Sequence, residues 1–430
     1  MTWPRAIILV DMNAFFASVE QLDHPEWRGR ALVVTNGKQG TCVITSSYEA
    51  RAFGIKTGMR LYEARRLCPQ LIQVPAQPRR YVEVSRAIMK ALATLTPDME
   101  IFSIDEAFLD VTRCQLLLGT PDKIGLMAKE RVFHASGLLC SIGVSGDKTT
   151  AKFAAKQQKP DGFTVIPPWE AKLRLKNVPV TELCGIKSGI GGFLARHGVL
   201  TCGDMEKLPI SILAKRFGNL GRRIWYMCQG ADPDPVHTQV ANPKSMGHGK
   251  VMPPRTRDTR VIETYLMHMC EKLAARLRHH HFHAQHFFVG LRSRDFGWLG
   301  GTGQTMQPTD DGREIFQLGL FILAQHWARE PVCQIQVTAL DPNPGGLQLD
   351  FFAKPDEKRE QVNAVLDDIN DRFGEFTIAP APLLFRSQMP NVIAPAWKPE
   401  GHRETISGRN TNSGRNTKTV SSRKIRRHCF

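Results

Sequence analysis

Acidic residues at the tips of strongly apolar runs constrain this chain more than any other feature. Ile7 to Val10 is a short β-branched run of the kind that forms a buried strand, and it ends on Asp11. In "EIFSIDEAFLDVT" (100–112), Asp105 and Glu106 separate two further apolar runs, which read as two strands meeting at a tight turn near Asp105. A carboxylate at the end of a buried strand is costly unless it is paired or metal-bound. Three of them converging from two strand ends repel one another and require a divalent cation. Hard oxygen ligands with room for water favour magnesium. Two such ions about 3.5–4 Å apart suit in-line phosphoryl or nucleotidyl transfer. Asp11 also stands where it would cap a helix starting at "NAFFASVE". Spacing alone leaves both readings open.

The surrounding pattern is mixed. "ALVVTN" near Val33 and "CVITSS" near Val43 read as strands, as does "LLCSIGVS"; helices are expected over 121–134 and 149–158. This irregular alternation predicts an α+β domain rather than a doubly wound sheet. Pro160-Asp161-Gly162 and Pro167-Pro168 close the unit, and 170–230 reads as short helices broken by glycines. The Gly- and Pro-rich stretch 241–258 reads as a tether. After it Val261, Tyr265, Met269, Leu273 and Leu277 recur at four-residue steps, an amphipathic helix. Strands near 284–292 and 332–340, with a helix near 313–328, make a second small α+β unit. Residues 398–430 hold nine Lys or Arg against two Glu, and this composition predicts disorder.

Lys and Arg number 57 against 41 acids over 430 residues, a formal charge of +16. The tail supplies +7 of it, so the rest of the chain is basic too, and a polyanionic partner, nucleic acid first, is expected. None of the ten cysteines forms a C-x-x-C pair, which argues against a zinc ribbon; a disulfide scaffold is not needed at this length. Reduced thiols, no cleavable signal and no apolar run of about 18 residues predict a soluble cytoplasmic protein. The group His279, His280, His281, His283 and His286 lacks a second ligand set and is assigned no metal. In "SSYEARAFGIKTGM", Tyr48, Arg51 and Lys56 flank a turn rich in small residues, and Arg51 with Lys159 could clamp a polyphosphate. Lys148, Lys152, Lys156 and Lys159 recur at three- and four-residue steps; such a stripe is most simply a solvated face.

"VDMNAFFASVE" (10–20), "SSYEARAFGIKTGM" (46–59), "SIDEAFLDVT" (103–112) and "GVSGDKTTAKFAAKQQKPDG" (143–162) resemble, in order and spacing, the motifs of the Y-family translesion DNA polymerases of the bacterial DinB or polymerase IV type. The resemblance runs from residue 1 to about 390. It implies that Asp11 and Asp105 ligate two Mg2+ ions with the Met12 carbonyl, and that Glu106 helps bind the ion near the primer 3′-hydroxyl. Phe16 matches the ring that excludes a ribose 2′-hydroxyl, leaving Phe15 to the core. Thr45, Tyr48, Arg51 and Lys159 match the contacts to the incoming dNTP; Cys42 and Ile44 would roof the nascent base pair. Asn13 stands where many relatives carry a second aspartate, a variable position.

"LCGIKSGIGGFLARHGVLTCGDM" (183–205) resembles the family's helix-hairpin-helix, in which the backbone of a turn, here Gly185, Lys187 and Gly189, holds a DNA phosphate. Lys187 replaces a glycine, which either distorts the turn or trades a backbone contact for a charged one. Arg292 and Arg294 are the expected DNA contacts of the second α+β unit. Gln348, Leu349, Asp350, Phe351 and Phe352 resemble the pentapeptide that docks on a sliding clamp, here internal rather than terminal; a strand is the alternative. The implied fold is an α+β right hand: a ferredoxin-like palm with inserted fingers (1–168, fingers about 20–75), a thumb (169–240), a little finger (242–342), a clamp-binding-like extension (343–397) and the basic tail. The implied activity is template-directed, low-fidelity synthesis past damage, without proofreading, by a monomer. The rivals are a catalytically inactive adaptor, which would have lost the carboxylates, and a two-metal nuclease, which has no use for a sugar gate.

Overall fold

The computed structural model describes residues 2–38, 40–344 and 357–386. Its centre is a five-stranded sheet in the order β5-β6-β1-β7-β8, made of β1 (Ile7–Met12), β5 (Met99–Ile101), β6 (Glu106–Asp110), β7 (Cys140–Ser145) and β8 (Phe163–Val165). β1 is antiparallel to both β6 and β7, and β8 adds a parallel edge beside β7. With helices Pro78–Leu92 and Pro121–Ser136 as its crossovers, the core of this sheet is a β-α-β-β-α-β ferredoxin-like unit.

All six β1 residues are buried, because both faces of the sheet are covered. Ile8, Val10 and Met12 pack against Ile88, Leu92, Ile124, Ala128 and Val132 of the two crossover helices. Ile7 and Leu9, on the opposite face by strand alternation, meet Ala151 and Ala155 of helix Lys148–Gln157. That helix lies directly on β7. A Cβ on Gly143 would fall 2.0 Å from the Ala151 carbonyl oxygen and 2.4 Å from the Ala155 nitrogen. Only glycine permits this approach.

Between β1 and the first crossover helix the chain builds a small three-stranded sheet, β3-β2-β4, from β2 (Leu32–Thr35), β3 (Val43–Ser46) and β4 (Ile72–Pro75). Leu32 and Val34 face the central core, whereas Val33 joins Val43, Ala50, Ile55 and Ala64 in a core of its own. Beyond β8 come helices Pro168–Leu175, Ser188–Arg196 and Ile210–Cys228, the last kinked at Gly218.

A four-stranded antiparallel sheet follows, in the order β11-β10-β12-β9: β9 (Met246–Thr256), β10 (Ala284–Ser293), β11 (Gly297–Thr309) and β12 (Val332–Ala339). Helices Thr259–His279 and Gly312–His326 cover one of its faces over Phe287, Val289, Leu291, Ile335 and Val337.

The expected tether at 241–258 is thus largely a strand. β9 is an edge strand, where glycine and proline are tolerated, and Pro253 and Pro254 fall where its register with β12 shifts, between Val251 and Thr256. Helix Glu357–Phe373 was not anticipated. Its residue Asp367 takes both arms of Arg278 at 2.6 and 2.8 Å, and Asn363 and Arg359 grip Asp311. Among the described residues all nine cysteines are free and no helix is long and apolar enough to cross a membrane. The Gln348–Phe352 segment and the tail 398–430 lie outside the described residues.

Candidate active site

The β1–β6 pairing brings the predicted carboxylates together. Asp11 sits opposite Glu106 in register, and the Met12 amide donates to the Asp105 carbonyl at 2.9 Å. Asp11, Met12, Asp105 and Glu106 line one cleft of about 360 Å³ with Phe15, Phe16, Ile44, Thr45, Arg51, Thr57 and Lys159. Asp11 does not cap the helix after it. That role falls to Ala14, whose φ of 45° is left-handed, a region few non-glycine residues occupy. This tight entry starts helix Phe15–Asp23 at the cleft edge. Phe15 is buried in the core where it meets the cleft wall, while Phe16 is only half-buried there and stacks on Tyr81 (4.2 Å between centroids, 13° between planes). Tyr81 is fixed in turn by its hydroxyl, which donates to Glu20 at 2.6 Å. The sequence reading missed it, lying 65 residues beyond Phe16.

Each acid has a partner. Lys159 Nζ lies 2.5 Å from Asp11 Oδ1, Ser103 Oγ donates to Asp105 Oδ1 at 2.6 Å, and Lys152 Nζ contacts both Glu106 oxygens at 2.7 Å. Even so, burial pushes the Asp11 carboxyl up to about 7, against the pull of Lys159 and with help from Glu106 and Asp105. Burial likewise holds Asp105 above the usual carboxylate range. Such a site is short of positive charge, and its donors are hard oxygens, so a divalent cation fits it. As they stand, with Asp11 and Glu106 each drawn to a lysine, no three His, Cys, Asp or Glu among the described residues form a ready-made metal cage.

The basic side of the cleft is Arg51 and Lys159. The Arg51 guanidinium lies over the Tyr48 ring at 4.7 Å, and its Nε donates to the Ser46 carbonyl at 3.1 Å. Tyr48 borders the cleft without lining it; its buried hydroxyl has no hydrogen-bond partner among the described residues. Burial, with Asp11 nearby, keeps that phenol above its ordinary range. Ile44 lines the cleft, but Cys42 does not: it is exposed, its thiol 3.3 Å from the Gly58 carbonyl.

The lysine stripe is not a solvated face. Lys148 is buried against Glu100 (2.7 Å) and Asp234 (2.8 Å), Lys152 is nearly buried on Glu106, and only Lys156 is fully exposed. In the hairpin region Gly185 has φ +89°, while Lys187 caps helix Ser188–Arg196 in an extended conformation open to any residue (φ −112°). Lysine therefore strains nothing there, and Gly185, Lys187 and Gly189 are all exposed. Arg292 and Arg294 are exposed too, Arg292 opposite Trp298 on β11 and Arg294 in the turn after β10.

The sequence model of the impB/mucB/samB family matches residues 10–156, and that of the family's C-terminal domain residues 243–351. The DNA polymerase IV of Pelotomaculum thermopropionicum is 34% identical, over 86% of this chain and 94% of its own. DNA polymerase IV 2 of Bacillus subtilis is 29% identical over 87% of this chain and 93% of its own. Among solved structures, a Y-family DNA polymerase chimera of Dbh and Dpo4 aligns with a TM-score of 0.68 at 27% identity, covering 80% of this chain and 100% of that one. A ferredoxin-like sheet whose strand-end acids face Arg51 and Lys159 across one cleft has the architecture of the palm of a right-hand polymerase. The chain belongs to the Y-family DNA polymerases, within the impB/mucB/samB family.

Proposed function

We propose that this chain carries out template-directed, low-fidelity translesion DNA synthesis, in which a primer 3′-oxygen displaces pyrophosphate from a dNTP, without proofreading. One observation carries the reading: the β1–β6 register sets Asp11 opposite Glu106, and these two with Asp105 share one cleft with Phe16, Arg51 and Lys159. Asp11, Asp105, Glu106 and the Met12 carbonyl would hold two magnesium ions, which supply activation of the attacking oxygen and neutralise charge on the phosphates.

Arg51 and Lys159 bind and orient the triphosphate, and Thr45 and Tyr48 add hydroxyls; the unpartnered Tyr48 hydroxyl is free to donate. Phe16, braced by Tyr81, excludes the 2′-hydroxyl of a ribonucleotide. Ile44 roofs the nascent pair from the cleft wall, with exposed Cys42 two residues ahead of it. DNA phosphates are held at Gly185, Lys187 and Gly189 and at Arg292 and Arg294, so binding is salt-sensitive and indifferent to sequence. A sliding clamp is the proposed partner of Gln348, Leu349, Phe351 and Phe352.

Primer extension with magnesium tests this. Wild type is expected to lengthen the primer, and Asp105→Ala to leave it unchanged. Shortening of the primer would indicate a nuclease, and no extension by wild type an adaptor.

A further inference from the structure

Lys152 belongs to the helix that lies on the back of the palm sheet, yet its side chain reaches the cleft acids. Its Nζ is 2.7 Å from both Glu106 oxygens and sits over the Phe102 ring at 4.4 Å, and that ring is braced edge-on by Phe108 at 5.4 Å. Only 11% of the lysine side chain is exposed, so water screens the pair little. The carboxylate it holds faces Asp11 across the ladder and adjoins Asp105 in sequence, so Glu106 has like charge on its cleft side and one cation behind it. An ammonium spanning both oxygens leaves neither wholly available to another cation.

We propose that Lys152 is the positioning residue of Glu106: it withdraws the carboxylate from its two acidic neighbours in the free protein and sets how readily Glu106 turns to a divalent cation. The inference rests on the metal-dependent reading given above. It requires opposite effects on two quantities. Removing the ammonium removes a competitor for Glu106, which strengthens cation binding. It also frees Glu106 to swing, which slows the chemistry that needs the carboxylate in place. A lysine that merely stabilised the palm would lower both, or neither.

The test measures Mn2+ binding to the full chain without nucleotide, by electron paramagnetic resonance, beside the kcat of single-nucleotide insertion. Lys152→Met is expected to bind Mn2+ about tenfold more tightly and to turn over about tenfold more slowly. Lys152→Arg keeps the charge and should restore both toward wild type. In a Glu106→Gln background, Lys152→Met should leave Mn2+ affinity unchanged, since the group it acts through is gone. Unchanged or weaker Mn2+ binding in Lys152→Met overturns the proposal, as does an equal gain in the Glu106→Gln background. If Lys152→Met does not fold, Lys152→Gln is measured by the same criteria. Failure of the wild type itself to bind Mn2+ or extend a primer would instead sink the polymerase reading.

Discussion

Lys148 offers the sharpest test of how the palm is held. Its ammonium contacts Glu100 at 2.7 Å and Asp234 at 2.8 Å, and donates to a third partner, the Pro235 carbonyl, at 3.1 Å. The Lys148 and Glu100 side chains are only 5% and 9% exposed, so solvent cannot replace the pair. Lys148→Met leaves Glu100 charged and buried, a change that typically costs about 3–5 kcal/mol. Two contacts survive and favour the lower end: the His237 amide still donates to Glu100 at 2.9 Å, and Arg223 still reaches Asp234 at 3.1 Å. Hydrogen exchange of the amides in helix Lys148–Gln157 reads the opening free energy of this segment directly. A loss of about 3 kcal/mol accelerates exchange on the order of a hundredfold. The double variant Lys148→Met/Glu100→Gln removes both charges and should recover at least half of the loss. Acceleration of less than about threefold in the single variant would refute the reasoning, because about 1.4 kcal/mol already gives tenfold. A double variant worse than the single would refute it equally.

Two further outcomes are expected. Phe16→Ala should admit ribonucleotides in single-nucleotide insertion with rNTPs, and unchanged sugar discrimination would remove the gate assignment. Asp11 is held up to about 7 in the folded chain from an ordinary value of 3.8, so between those values the native state binds more protons than the unfolded one. Its contribution to stability therefore falls as pH rises through that window. A divalent cation competes with the proton for this site, so Mn2+ should raise the melting temperature more at pH 8 than at pH 5; an equal rise at both would contradict it.

The palm was legible because its signals are local. The run Ile7–Val10 must be buried, and an acid at its end must have a partner, so four residues and their neighbour announced the strand, while the choice between metal ligand and helix cap for Asp11 came only with the family resemblance. The same logic found Asp105 and Glu106. What escaped was carried by contacts between distant residues. Lys152 lies 46 residues from Glu106 and Lys148 48 from Glu100, and in sequence both belong to an ordinary basic stripe. β9 was hidden by the prolines and glycines that an edge strand accepts, and β11 by its many glycines and polar outer residues. Helix Glu357–Phe373 has too few apolar residues to declare a face, since charge pairs to Arg278 and Asp311 do much of its docking. Of the two residues that the resemblance sets over the nascent pair, Ile44 lines the cleft and Cys42, just ahead of β3, does not.

One helix and the turn that follows it supply counter-charges to three adjacent strands: Lys148 to Glu100 on β5, Lys152 to Glu106 on β6 and Lys159 to Asp11 on β1. Two of these acids are therefore tied to one rod, itself seated on the bare backbone of Gly143, and the third to the turn at its end. A change that shifts that helix on its glycine seat would be felt at Glu100 and Glu106 together, and through the following turn at Asp11.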